Sequence, residues 1–292
     1  GLGGIDSMEQ MAKVKQVVPE TVFNHGYAIL NADDDLVYAM KEGLKCNIAY
    51  FSMDENNPRI KKHCKAGGYA AVFENGYITI MKGTWKIRVI KVSEVPVTYG
   101  GKALHNVMNC LPAVLSTYFW RDIEIEDIKL ALQTFVPSSA QTPGRLNMFQ
   151  FKHFQFLVDF AHNPAGLELL CDFISKLDGE PKVGIISGTG DRRDEDIKEL
   201  GRISGRSFDE IIIRQDKNLR GRTAEEIVNL LVEGINETKT KDIPIEIIYN
   251  EKEAIMHAYN NAKPGSLITI MCDVVAEALD LIKGLKEKED AE

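Results

Sequence analysis

The second half of the chain alternates between two habits of apolar patterning. Short runs rich in β-branched residues occupy 155–160, 182–187, 210–214, 245–249 and 266–271, and their length and composition read as buried strands. Between them apolar positions recur at helical spacing, with helices expected to begin near Pro164, Asp194, Thr223, Glu251 and Asp273. Pro164 suits a first helical turn, where a missing N–H costs nothing, and Thr223 suits an N-cap. Strand and helix in alternation predict an open parallel sheet with helices on both faces. In such a sheet ligands bind outside the carboxyl ends of the strands, so polar chemistry is expected in the loops at 159–164, 187–193 and 215–222.

The first half is a mixed piece. A helix-like pattern at Met8, Met11 and Val14 precedes a strand at 27–30, an Asp-rich turn, another helix and a strand at 47–52. Asn75-Gly76 is the turn signal of a tight hairpin, and 85–92 alternates as a half-buried strand does. Helical stretches follow at 104–118 and around 126–135. The domain boundary is expected after Pro143-Gly144, giving domains at 1–147 and 148–292. Gly1-Leu2-Gly3-Gly4 leads directly into the first helical pattern, which reads as a cut rather than a processed start, and the charged tail at 286–292 is expected to fray.

Composition narrows the function classes. With 44% hydrophobic and 27% charged residues in 292, the chain has enough material for two globular domains. The balance of 35 basic against 43 acidic residues, a net charge of -8, argues against partnership with nucleic acid or an anionic membrane. Apolar runs such as 267–271 fall far short of the roughly 20 residues of a membrane helix. The five cysteines show no CxxC spacing, so neither a zinc site nor a disulfide framework is indicated, and a reduced cytoplasmic setting is expected.

Four constellations carry candidate chemistry. Ser187-Gly188-Thr189-Gly190, between a strand and a helix, is suited to an anion, since bare N–H groups and a helix N-terminus both favour one. As a dinucleotide fingerprint it is poor, with Arg193 in the place of the third glycine and Asp194-Glu195-Asp196 in the next turn. Asp159-Phe160-Ala161-His162-Asn163-Pro164 gathers a carboxylate, an imidazole and an amide in one turn, although Asn163 is also a plain helix cap and lone His162 lacks a ligand partner for a metal. Asp216, Arg220 and Arg222 form a mixed-charge loop that suits an amino-acid carboxylate or a solvated surface equally well. Asn106 and Asn109, three apart on a helix, are placed to read an adenine edge with their amides. The phosphate loop G-x-x-x-x-G-K-[ST] occurs nowhere; Gly101-Lys102 has Pro96 and Ala103 where a glycine and a hydroxyl belong.

Taken in order, these pieces resemble the Mur ligase superfamily of ATP-dependent amide ligases. The resemblance rests on Asn31-Ala32-Asp33-Asp34, the helix His105-Asn106-Val107-Met108-Asn109, Pro143-Gly144-Arg145 and Asp159-Phe160-Ala161-His162-Asn163-Pro164. Ala49-Tyr50-Phe51-Ser52-Met53, Gln141-Thr142-Pro143-Gly144-Arg145, the run from Ser187 through Asp191-Arg192-Arg193 to Asp196, and Leu219-Arg220-Gly221-Arg222 are similar to the C-terminal, Mur-ligase-like half of the cyanophycin synthetase family. The resemblance implies an α/β fold: part of a Mur ligase central domain, a mixed sheet with helices whose phosphate loop lies outside this segment, followed by a Rossmann-like C-terminal domain.

It also implies roles. Asn109 and Asn106 would contact adenine, Asp159 the ribose, and Arg145 the terminal phosphates and the catalytic step. His162, Asp191, Arg192, Arg193, Asp216, Arg220 and Arg222 would face the incoming amino acid. The partners implied are ATP, Mg²⁺ held mostly by residues outside this segment, arginine, and a poly-aspartate or cyanophycin chain whose aspartate β-carboxyl receives the arginine through an acyl phosphate. The full-length protein is expected to be a cytoplasmic homo-oligomer, and this segment alone is expected to fold without ligase activity. Rival readings are a peptidoglycan-precursor or folylpolyglutamate ligase, an NAD-dependent enzyme built on the C-terminal sheet, and a non-catalytic binding module.

Overall fold

The computed structural model describes residue 5 and residues 7–291; the glycine-rich opening and the final residue lie outside the described residues. The chain divides into two compact units, Gly1–Val136 and Pro137–Glu292. The division therefore falls before 137 rather than after 147. The reason is local: Asn147, at 3% exposed, donates to Thr142 O (2.9 Å) and accepts from Gly144 N (2.7 Å), so the Pro-Gly segment is held by the second unit.

The first unit carries a five-stranded sheet in the order β1 (Tyr27–Asn31), β2 (Asn47–Ser52), β3 (Tyr69–Glu74), β4 (Tyr77–Lys82), β5 (Trp85–Lys91). The first three strands are parallel, linked through α2 (Asp35–Ala39) and α3 (Pro58–Lys65); the last three run antiparallel. Asn75 and Gly76 both take positive φ (51° and 82°), the geometry a two-residue hairpin demands of its turn. One face is covered by α4 (Leu104–Tyr118), which buries Val107, Cys110, Leu111, Val114 and Leu115 at i, i+3, i+4, i+7 and i+8. It is followed by α5 (Ile125–Thr134), which buries Ile128. The opening helix α1 (Met8–Glu20) forms behind a Ser7–Gln10 capping box but buries no side chain.

The second unit is built on a six-stranded sheet, β10 (Ile245–Ile247), β9 (Glu210–Ile213), β8 (Lys182–Ile186), β11 (Leu267–Met271), β7 (Gln155–Asp159), β6 (Asn147–Gln150). Strands β7 to β11 are parallel, and β6 is an antiparallel edge that corrects the all-parallel expectation. The helices α6 (Pro164–Ser175), α7 (Asp194–Ser207) and α8 (Ala224–Thr238) follow β7, β8 and β9. Val183, Ile185, Ile268 and Ile270 point the other way, into a core shared with α9 (Glu251–Asn260) and α10 (Val275–Ala291). Gly234 lets α8 sit on α7, since a Cβ there would meet Lys198 O at 2.0 Å. Neighbouring β8 and β11 thus send their helices to opposite faces, which opens a crevice at their carboxyl ends.

Through Ala291 the tail is helical rather than frayed. Helix α10 continues to Ala291 because Glu289 accepts the Lys152 N–H (2.9 Å) and Lys286 pairs with Asp290. Among the described residues no helix is long and apolar enough to cross a membrane.

Candidate functional site

Asn106 and Asn109 lie in the first unit beside a cavity of about 350 Å³ between α4 and α5. Its walls are mostly apolar, Val97, Ala113, Val114, Leu132 and Phe135 among them. The two amides are used differently. Asn106 Nδ2 donates to Val97 O (2.8 Å) and so fixes the turn ahead of α4, whereas Asn109 is exposed and makes no hydrogen bond among the described residues. An apolar slot with one unpaired donor–acceptor group at its lip suits a flat heteroaromatic edge.

In the same unit Asp33 accepts from Ser52 Oγ (2.5 Å), Met53 N (2.8 Å) and Asn57 Nδ2 (2.9 Å). Its carboxylate is spent on tying the loops after β1 and β2 together.

In the second unit Asp159 ends β7 at 8% exposed, with Oδ2 accepting Leu146 N (2.9 Å). Burial pushes its carboxyl up, against the pull of the Leu146 N–H and the Arg145 charge. Arg145 itself is exposed, lies 5.7 Å from the Phe160 ring centroid and makes no salt bridge among the described residues. Its guanidinium is available to an anion.

His162 is exposed, with Nδ1 3.1 Å from Phe160 O. A carbonyl only accepts, so that nitrogen carries a proton in this contact. Asn163 caps α6 by accepting Gly166 N (2.8 Å).

The loops after β8 and β9 are brought together and largely neutralise one another. Arg220 pairs with Asp191; Arg222 reaches Asp194 (2.6 Å), Gly190 O (3.0 Å) and Arg192 O (2.9 Å); Arg193 pairs with Asp196 (2.7 Å). Gly190 is required by this closeness, since a Cβ would meet Leu219 O at 1.9 Å. The glycines expected to cradle an anion thus have a packing role. Two buried atoms in the loop have no partner among the described residues, Asp191 Oδ1 and Arg192 Nε.

Asp216 accepts from Ser187 Oγ (2.9 Å) and from Arg214, a residue the sequence reading passed over. Arg214 is 1% exposed; its guanidinium meets Asp216 (2.7 Å), Glu251 (3.1 Å) and Met271 O (3.2 Å). Burial pushes the Glu251 carboxyl up, with Arg214 opposing. The available signal was a charged residue directly after the apolar run Ile211-Ile212-Ile213, because a buried charge must find partners.

Among the described residues no group of three or more His, Cys, Asp or Glu side chains is arranged to hold a metal ion.

Comparison with known proteins sharpens these features. Residues 144–273 match the Mur ligase, glutamate ligase domain. The chain is 42% identical over 286 residues to cyanophycin synthetase of Synechocystis sp. and 44% identical over 282 residues to that of Crocosphaera subtropica. These matches cover 98% and 97% of the chain but 32% of either relative, so the chain spans about a third of their length. Among solved structures, E. coli FolC in complex with ADP aligns with 97% of the chain and 59% of its own length at a TM-score of 0.68 and 13% identity. A bifunctional folylpolyglutamate synthase/dihydrofolate synthase with Mn, AMPPNP and L-glutamate bound aligns over 97% and 59% at 0.64 and 18%. At such identities the structural likeness speaks for the fold.

Proposed function

Because this chain belongs to the Mur ligase superfamily, we propose that it is the nucleotide- and amino-acid-binding part of an ATP-dependent amide ligase that adds arginine to the β-carboxyl of a poly-aspartate chain. The observation that carries the reading is that the match to cyanophycin synthetases runs through both units, over 97–98% of the chain, and not through the C-terminal unit alone.

In this reading Asn109 reads the adenine edge at the apolar pocket of the first unit. Asp159 orders the ribose side, and Arg145 meets the terminal phosphates. The β-carboxylate oxygen takes the γ-phosphoryl group as the bond to ADP breaks. The α-amine of arginine then attacks the acyl carbon, the C–O bond to phosphate breaks, and the amine proton is lost. Arg145 acts where negative charge gathers on the transferring group, the place where a fixed cation contributes most to rate. His162, Asp191, Arg192, Arg193, Asp216, Arg220 and Arg222 form the polar rim offered to the amino acid, with arginine–carboxylate pairs that a zwitterion is able to exchange into.

The chain alone is expected to make no amide bond, since its 292 residues include no G-x-x-x-x-G-K-[ST] loop to hold the β- and γ-phosphates. The test is ADP release by the longer protein that carries this segment, on a poly-aspartate primer, across a panel of amino acids. Release with arginine supports the reading. Release with glutamate or diaminopimelate and none with arginine replaces it by another ligase of the superfamily.

A further inference from the structure

Between the starts of α9 and α10 the second unit opens a cavity of about 780 Å³ over the carboxyl end of β9. Its composition is one-sided: Asp216, Glu251, Asp273, Glu277 and Asp280 line it against two lysines. A phosphate or a poly-aspartate chain is repelled by such a lining and an organic cation is attracted. A bare metal ion is a poor candidate, because no group of acids among the described residues has the arrangement to ligate one.

The acids divide by how far they are committed. Asp216 and Glu251 share the buried Arg214 and are held structurally. Asp273 spends one oxygen on the Lys217 N–H (2.8 Å). Glu277 pairs with the Lys217 ammonium (2.6 Å), both side chains being about two-thirds exposed (63% and 64%), a contact that solvent screens and a ligand readily displaces. Gln215, also in the lining and 9% exposed, donates from Nε2 to Ala224 O (3.1 Å), which fixes the amide orientation and leaves Oε1 an acceptor without a donor among the described residues. Ile255, Ala278 and Leu281 give the wall an aliphatic stretch, Asn250 adds an amide, and Tyr249, half-exposed, adds an aromatic ring.

Acceptors beside an aliphatic wall and an aromatic ring suit a planar cation carried on a methylene stem, since a guanidinium pairs in a fork with carboxylates and stacks on a ring face. We propose that this cavity takes the guanidinium-bearing side chain of the amino acid that the ligase adds, with Asp273 and Glu277 as specificity-determining residues and Tyr249 as the stacking wall. The inference rests on the ligase reading above and adds to it a side-chain site on the α9–α10 face of the sheet, bordered by the start of the 215–222 loop, whose Arg220 and Arg222 already pair with Asp191 and Asp194.

The test combines turnover and direct binding. In the longer protein, Asp273→Asn together with Glu277→Gln is expected to raise the KM for arginine about tenfold or more, because a site built for a charged fork loses its charge, and to narrow the preference for arginine over its neutral isostere citrulline. The KM for ATP stays within about twofold, as neither residue is placed at the nucleotide. Tyr249→Leu is expected to weaken arginine by a smaller factor. An unchanged KM for arginine and an unchanged arginine-to-citrulline ratio in the double variant overturn the inference while leaving the ligase reading intact. If the wild type releases no ADP with arginine, the ligase reading fails, and titration of this chain with agmatine judges the cavity by itself. Agmatine binding that disappears in the double variant sustains a guanidinium site; absent or unaltered binding removes it.

Discussion

The two candidate binding regions differ in what their polar groups are doing before any ligand arrives. At the pocket of the first unit the walls are mostly apolar and the Asn109 amide has no partner among the described residues. At the strand ends of the second unit Arg220, Arg222, Arg193 and Arg214 are all paired with carboxylates of the same unit. A ligand entering the first region displaces water; one entering the second must exchange partners. Affinity in the first should come from buried area and a single directed amide, and selectivity in the second from which ion pairs a ligand is able to replace. The corollary is experimental: substitutions in the first region read out binding cleanly, whereas in the second they mix binding with stability.

The sharpest way to break that contrast is Arg214→Met. The guanidinium is buried between Asp216, Glu251 and Met271 O, so removing it strands two carboxylates away from water. A loss on the order of 3–5 kcal/mol is expected in denaturant unfolding of the second unit. A loss under about 1 kcal/mol would show that the network is not structural and that Asp216 is free to serve a ligand directly. Next in size is Arg145→Ala in the longer protein. This residue is exposed and makes no salt bridge among the described residues, so stability should hold while the chemical step slows about 10²-fold, roughly 2.7 kcal/mol. A fall in nucleotide affinity with no fall in kcat would instead make it a binding residue.

Asn109 and Asn106 sharpen the contrast within one helix. Asn109→Ala should weaken ADP binding to this chain about tenfold, near 1.4 kcal/mol, and leave unfolding unchanged, because the amide has no partner to lose among the described residues. Asn106→Ala should do the reverse, costing about 1 kcal/mol of stability through the lost bond to Val97 O. Isothermal titration and denaturant melts of both variants decide between them, and equal effects of the two would dissolve the distinction.

How much of this was legible beforehand follows from the physics of each feature. Strands β7, β8, β9 and β11 of the second unit announce themselves because strands covered on both faces are near-continuous apolar runs, and Asn75-Gly76 because a tight hairpin needs positive φ at both positions. Strand β6 was invisible: Asn147-Met148-Phe149-Gln150 is short, and its antiparallel pairing with β7 is set by tertiary contacts. Charged loops were legible as loops, but the pairing of Arg220 with Asp191 and of Arg222 with Asp194 depends on two segments some thirty residues apart meeting, which spacing alone does not encode. Arg214 and Glu251 were missed for the same reason: each looks like an ordinary boundary residue until the fold buries them against each other.

The smallest expected effect is at Arg193, and it separates a helix-start ion pair from a substrate contact. Arg193 precedes α7, is 79% exposed on its side chain, and pairs in a fork with Asp196 one turn along. Exposed pairs of this kind are screened by solvent, so Arg193→Ala should shift the melting temperature by no more than about 1 °C at neutral pH. The sign with pH is fixed by Asp196, whose carboxyl the Arg193 side chain holds below the usual range. A depressed carboxyl contributes its stability above its unfolded value and loses it as pH falls through the folded one, so any gap between wild type and variant closes on acidification. If Arg193 only steadies the helix start, the KM for the amino acid in the longer protein stays where it is. If it holds the substrate carboxylate, that KM rises several-fold while the melting temperature stays put, since a planar fork that leaves one carboxylate for another changes binding without changing the fold. Melting curves at neutral and acidic pH, set beside arginine kinetics of the same variant, tell the two apart.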